Sequence, residues 1–185
     1  MKYIILTLFI VLLIIIPTVT STTYASDFET NIESIPALNK VPPRVGRWKV
    51  APTVIVCAHA PPTEIQTKSA VRFWEQLGHR FSKTQFKHDP LKKCLSDTPT
   101  GYITIHLVSQ GVTLRPAALA ETHFFVNNET GEIEWAVIYM RDDLRPTVLE
   151  HEIGHALGYL HHNQHNHLMH EKLIHGGWDI EGLSR

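Results

Sequence analysis

His151-Glu152-Ile153-Gly154-His155-Ala156-Leu157-Gly158-Tyr159-Leu160-His161, followed eight residues later by Met169 with Leu168 before it, is the stretch on which the reading of this chain turns. Two histidines four residues apart lie on one face of a helix, about 40° apart around its axis, so their imidazoles can meet at one ion. Glu152 stands beside the first of them, where a carboxylate can take a proton from water activated by that ion. Gly158 suits the left-handed residue that closes a helix and turns the chain back, and His161 follows the turn. Three imidazoles with one open position make a catalytic zinc site; a structural site calls for four protein ligands, commonly thiolates. Although the chain holds 13 histidines, five fixed positions match by accident on the order of 2 times in 10,000. His151, His155 and His161 are therefore the expected metal ligands, with Glu152 as general base.

Around this stretch the composition describes one small exported chain. Residues 4–16 are apolar except for Thr7, with Lys2 before them and small residues at Thr23 and Ala25. That run is 13 residues long, short of the roughly 20 that span a bilayer, so residues 1–25 are expected to be a signal peptide cleaved before Ser26, with a membrane anchor at 4–16 as the alternative. The remaining 160 residues (185 less 25) suit one domain: an extended, Pro-containing lead-in at 26–50 and a catalytic domain at 51–185. A net charge of −1 gives no sign of a nucleic-acid partner. Export places Cys57 and Cys94 where they can form a disulfide, the alternative being a buried free Cys57.

Hydrophobic period orders the remaining elements. Residues 53–58 read as a buried strand and 63–77 as an amphipathic helix whose apolar side includes Ile65, Ala70, Val71, Phe73, Trp74 and Leu77 and which ends at Gly78. Residues 81–100 read as irregular, 102–108 as a central strand, and 119–126 and 133–139 as two strands joined by a turn at 127–131, the first forming the sheet edge. Asp142 or Asp143 is expected to cap the zinc helix, with Pro146 in its first turn. The scattered His59, His79, His88, His106 and His123 read as ordinary core or surface residues. His162, His165, His167, His170 and His175 read as solvated or outer-sphere groups rather than a second metal site. Trp178 is expected to pack the C-terminal stub on the core.

The eleven positions from His151 to His161, together with Leu168 and Met169, resemble the zinc signature and methionine turn of the metzincin metallopeptidases, closest to the matrix-metallopeptidase branch. Thr130, Gly131, Glu132, Ile133, Ala136 and Ile138 are similar to the strand before the zinc helix in small bacterial members. The resemblance runs over residues 45–182 and is tight at 130–169. It implies an α+β fold of α/β type: a twisted, mostly parallel sheet with one antiparallel edge strand, a backing helix and an active-site helix. It also implies a monomeric zinc endopeptidase that hydrolyses peptide bonds of a protein or peptide substrate through a metal-activated water and Glu152. Met169 would form an apolar floor beneath the ligands. The edge-strand backbone at Ala118, Leu119, Ala120, Glu121 and Thr122 would form the cleft rim, the substrate adding as a further strand. Glu171 stands where matrix enzymes carry proline and other branches a tyrosine ligand, so a tyrosine ligand is not expected. The family's C-terminal helix would be cut to a stub, and no cysteine-switch prodomain is visible. Calcium is placed by no pattern. Two other readings remain open: a catalytically silent zinc-binding module, and an exported His-rich metal-binding protein.

Overall fold

Alternating and continuous apolar runs become a five-stranded sheet in the computed structural model, which describes residues 41–87, 94, 98–108 and 112–185. The elements are β1 Thr53–Val56, α1 Glu64–Gln76, β2 Lys83–Phe86, β3 Tyr102–Leu107, β4 Ala120–Asn127, β5 Glu132–Met140 and α2 Val148–Ala156. The strands lie in the order β2-β1-β3-β5-β4. All pairs are parallel except β4 with β5, so the antiparallel strand forms one edge. The expected α+β class with a mostly parallel sheet therefore holds. Residues 1–25 and 26–40, on which the signal-peptide reading and most of the lead-in fall, lie outside the described residues, as does His88.

β1 is buried at all four positions, as a central parallel strand between neighbours must be. In β4, Ala120, Thr122, Phe124 and Val126 are buried while Glu121, His123 and Phe125 are half-buried on the opposite face, the period-2 alternation of an antiparallel edge. Two helices join the buried side of the sheet. α1 begins with a capping box: the Gln66 N–H donates to Thr63 Oγ1 at 3.2 Å, and the Thr63 N–H donates to Gln66 Oε1 at 2.9 Å. Fully buried Trp74 stacks on Tyr159 with ring centroids 5.7 Å apart, and its indole N–H donates to the Glu150 carbonyl at 2.9 Å, which locks α1 to α2.

Four expectations are corrected. Residues 83–86 are not irregular: they form β2, whose Lys-Thr-Gln-Phe sequence has little apolar signal of its own and is ordered by pairing along β1. Ile65 is 82% exposed, because at 100° per residue it lies on the opposite side of α1 from Trp74. Neither Asp142 nor Asp143 caps α2, and Pro146 lies ahead of the N-cap rather than in the first turn. Thr147 holds the N-cap place at φ 70° without a side-chain cap bond, and Asp143 pairs with Arg145 at 3.0 Å, too far back along the chain to reach the first turn. Trp178 is 56% exposed and touches Phe73 edge-on at 5.7 Å, so it covers the rim of α1 rather than sealing the core.

The described part of the lead-in is an extended strap across the back of the turn that follows α2. The Val45 N–H donates to Gly158 O at 2.9 Å, the Leu160 N–H to Pro43 O at 2.8 Å and the Ile133 N–H to Arg47 O at 2.9 Å. Cys57, just after β1, is disulfide-bonded to Cys94, 37 residues on. No segment after α2 forms a further helix among the described residues, so the C-terminal stretch runs as turns.

Candidate metal centre

α2 places His151 and His155 one turn apart, and its closure brings up the third histidine. The end of the helix is a Schellman motif: the Tyr159 N–H donates to Gly154 O at 3.1 Å and the Gly158 N–H to His155 O at 2.8 Å, with Gly158 at φ 96°. Only glycine fits there, since a Cβ at 158 would stand 2.5 Å from Gly46 O in the strap. The reversed chain carries His161 back against the helix. His155 Nε2 lies 3.0 Å from His151 Nε2 and 3.1 Å from His161 Nε2. Among the described residues these three form the one group of ligand-type side chains close enough to hold a metal ion.

The hydrogen bonds around the rings fix which nitrogen faces inward. His151 Nδ1 donates to Leu168 O at 2.8 Å and His155 Nδ1 to Tyr159 O at 2.7 Å, which leaves the Nε2 lone pairs of both rings turned toward each other and toward His161. Facing lone pairs at 3 Å repel unless a cation lies between them. Bonds of about 2.0–2.1 Å at tetrahedral angles would set such nitrogens about 3.3 Å apart, so the donor set fits a divalent metal. Burial is the first cause that lowers all three imidazole pKa values: His151 to about 4, His161 to about 3 and His155 well below its ordinary value, His151 and His161 adding to the effect at His155. Neutral imidazole, the ligating form, is thus the resting form.

Met169 is completely buried and packs against Gly154 of α2. A Cβ on Gly154 would come within 2.5 Å of Met169 Sδ and 2.9 Å of Trp74 Cζ2, so the glycine in the middle of the motif is what lets the methionine and the indole press against the helix. His167, expected among the solvated or outer-sphere histidines, is fully buried: its Nδ1 accepts the Met169 N–H at 3.0 Å and its Nε2 lies 3.1 Å from Glu181 O. It shapes the methionine turn whose Leu168 carbonyl orients His151. His79 is a buried core histidine, 2.9 Å from Leu183 O and 3.2 Å from the Tyr159 hydroxyl.

Glu152 is 6% exposed and faces the triad's cleft. Burial pushes its carboxyl up to about 7; a hydrogen bond from Thr122 opposes the shift and the charge of Glu121 adds to it. Thr122 Oγ1 lies 2.5 Å from Glu152 Oε2 and 3.2 Å from the Glu152 carbonyl. This contact was not legible in the sequence, where Thr122 counts only as backbone of the rim. The single available signal is its place on the inward-facing alternation of β4.

The cleft itself, about 600 Å³, is lined by His151, Glu152, His155 and His161 on one side and by residues 115–122 on another. Ala118, Leu119, Ala120, Glu121 and Thr122 thus all border it. The start of that wall is held by Arg141, whose Nε donates to Ala118 O at 2.7 Å and whose N–H donates to Leu119 O at 2.9 Å. Glu121 turns its side chain to the outer face, 3.2 Å from His123 Nε2. Residues 170–173 close the far wall. No protein-family model matches the chain, and no curated protein matches it.

Proposed function

We propose that this chain is a zinc-dependent endopeptidase. The observation that carries the reading is a triad of inward-facing imidazole nitrogens 3.0–3.1 Å apart with a buried carboxylate on the adjacent residue, all opening on one cleft. His151, His155 and His161 hold the metal, and zinc bound there supplies Lewis acidity toward a carbonyl oxygen and makes water acidic near neutral pH. Glu152 takes the proton of the attacking water on its carboxylate and returns it to the leaving amine. Burial raises the Glu152 carboxyl in the metal-free chain, and a dication held by the adjacent histidines would draw it back toward the carboxylate, the form that accepts the proton. Thr122 holds Oε2 and so fixes the carboxyl at the cleft wall.

The peptide lies along the edge of β4. That strand pairs with β5 on one side only, so its open edge from Ala120 onward can receive an extended segment as an added strand, while Ala118, whose N–H and carbonyl are bound to Arg115 O and Arg141 Nε, borders the cleft without pairing. This mode reads the main chain first and makes a protein or peptide the fitting substrate. The Cys57–Cys94 disulfide supports action in an oxidising, exported compartment.

The test is cleavage of a mixed peptide library by the full chain and by Glu152→Gln, with metal content measured on both. The expected result is about one zinc per chain in each and cleavage by the wild type alone, the variant losing about 10²- to 10⁴-fold in turnover. Zinc in both with cleavage by neither would replace the enzyme by a zinc-binding module.

A further inference from the structure

Behind the zinc-motif turn, three segments far apart in sequence bring cationic side chains to one pocket of about 160 Å³. Arg44, Arg47 and Lys49 come from the strap, Arg80 from the exit of α1, and Arg185 from the tail, whose N–H is bound to Leu77 O at 3.0 Å. Among the described residues, no aspartate or glutamate lines this pocket. The chain as a whole carries 18 acidic against 17 basic residues, so the concentration of cations here does not follow from composition. Glu132 reaches Lys49 at 3.3 Å from outside the lining, so four guanidinium groups supply the pocket's side-chain charge, set against the one negative charge of the α-carboxylate that Arg185 carries in this chain.

Arg44 forms the inner wall. Its Nε and Nη2 donate to Leu157 O at 3.1 and 3.0 Å, and its guanidinium carbon lies 4.7 Å from the Tyr159 ring centroid. These contacts hold it although burial, and then the charges of Arg47 and Arg185, lower its pKa. His79, also on the wall, is kept neutral first by burial and further by Arg44 and Arg185. Like charges gathered on a concave surface repel, and an anion among them converts that repulsion into attraction. Guanidinium forks match the paired oxygens of phosphate and sulfate. The volume equals about five water molecules, which suits one tetrahedral oxyanion.

We propose that Arg44, Arg47, Arg80 and Arg185 form an anion site that takes a phosphate or sulfate group, either as the free ion or carried on a polyanion. It stands apart from the cleft and does not depend on the peptidase reading. The experiment titrates inorganic phosphate, inorganic sulfate and a soluble polyphosphate into the full chain by calorimetry at constant ionic strength. The wild type is compared with Arg47→Gln/Arg80→Gln, whose substituted side chains are both exposed, and with Arg185→Gln. Saturable binding is expected, weakened about tenfold or more in the double variant and less in the single one, with unchanged circular dichroism. Polyphosphate that binds about tenfold tighter per phosphate than the free ion assigns the group to a polyanion; equal affinity assigns the free ion. The proposal is overturned by the absence of saturable binding to all three probes, by a response that sodium chloride reproduces, or by affinity that survives in the double variant, since that anion would sit elsewhere.

Discussion

Thr122 reaches Glu152 from a neighbouring strand and not from the motif, and this makes it the positioning residue with the clearest consequence. Thr122→Val keeps the volume and the β-branch and removes the hydroxyl that lies 2.5 Å from Oε2. If Glu152 acts as the base, kcat should fall about 10- to 100-fold, as losses of supporting hydrogen bonds do, while KM and zinc content stay near wild type. An effect on KM alone would reduce Thr122 to a rim residue. Gly154 shows a different use of one position. Its missing Cβ leaves room for Met169 and Trp74, and the motif alone does not distinguish this glycine from any other residue between the two histidines.

At the scale of the element, α2 is short, and what it does depends on its ends. Its start lacks a side-chain cap and has Thr147 at φ 70°, a conformation costing a β-branched residue on the order of 1–2 kcal/mol. Its end is the Schellman turn that carries His161 into place. Gly158→Ala adds a Cβ both at positive φ and 2.5 Å from Gly46 O. It is expected to lower stability by about 1–3 kcal/mol in denaturant unfolding and to weaken zinc retention against a chelator, because the same turn presents His155 Nδ1 to Tyr159 O. β4 is the other element with two duties: its inner face carries Thr122 to Glu152, and its open edge borders the cleft.

For the whole molecule, the buried triad makes folding pH-dependent when metal is removed. His151 and His161 titrate at about 4 and about 3 in the folded chain against about 6.5 unfolded. The unfolded chain therefore binds more protons than the folded one between pH 6.5 and 4. The imidazoles' contribution to the stability of the metal-stripped chain is full above about pH 6.5 and falls as pH is lowered through that window, while Glu152, raised by burial to about 7, takes up one proton in the folded chain over the same range and offsets part of the fall. Urea unfolding at pH 7.5, 6 and 5 measures the net loss, and a flat profile would contradict neutral, buried imidazoles. The disulfide acts on the same scale: Cys57→Ser/Cys94→Ser opens a loop spanning 37 residues and is expected to cost about 4 kcal/mol by chain entropy, read from the shift in unfolding midpoint. Much of this was legible in the chain itself. The spacing His151, His155, Gly158, His161 determined the convergence of three imidazoles, because helix period and a glycine turn are local, and the two β-rich runs 119–126 and 133–139 with the turn residues 127–131 between them determined the edge hairpin for the same reason. Only the tertiary structure made residues 83–86 a strand, brought Thr122 to Glu152 and gathered Arg44, Arg80 and Arg185 at one pocket. Those contacts join residues from 30 to more than 100 positions apart, and at such separations packing, not local pattern, decides which side chains meet.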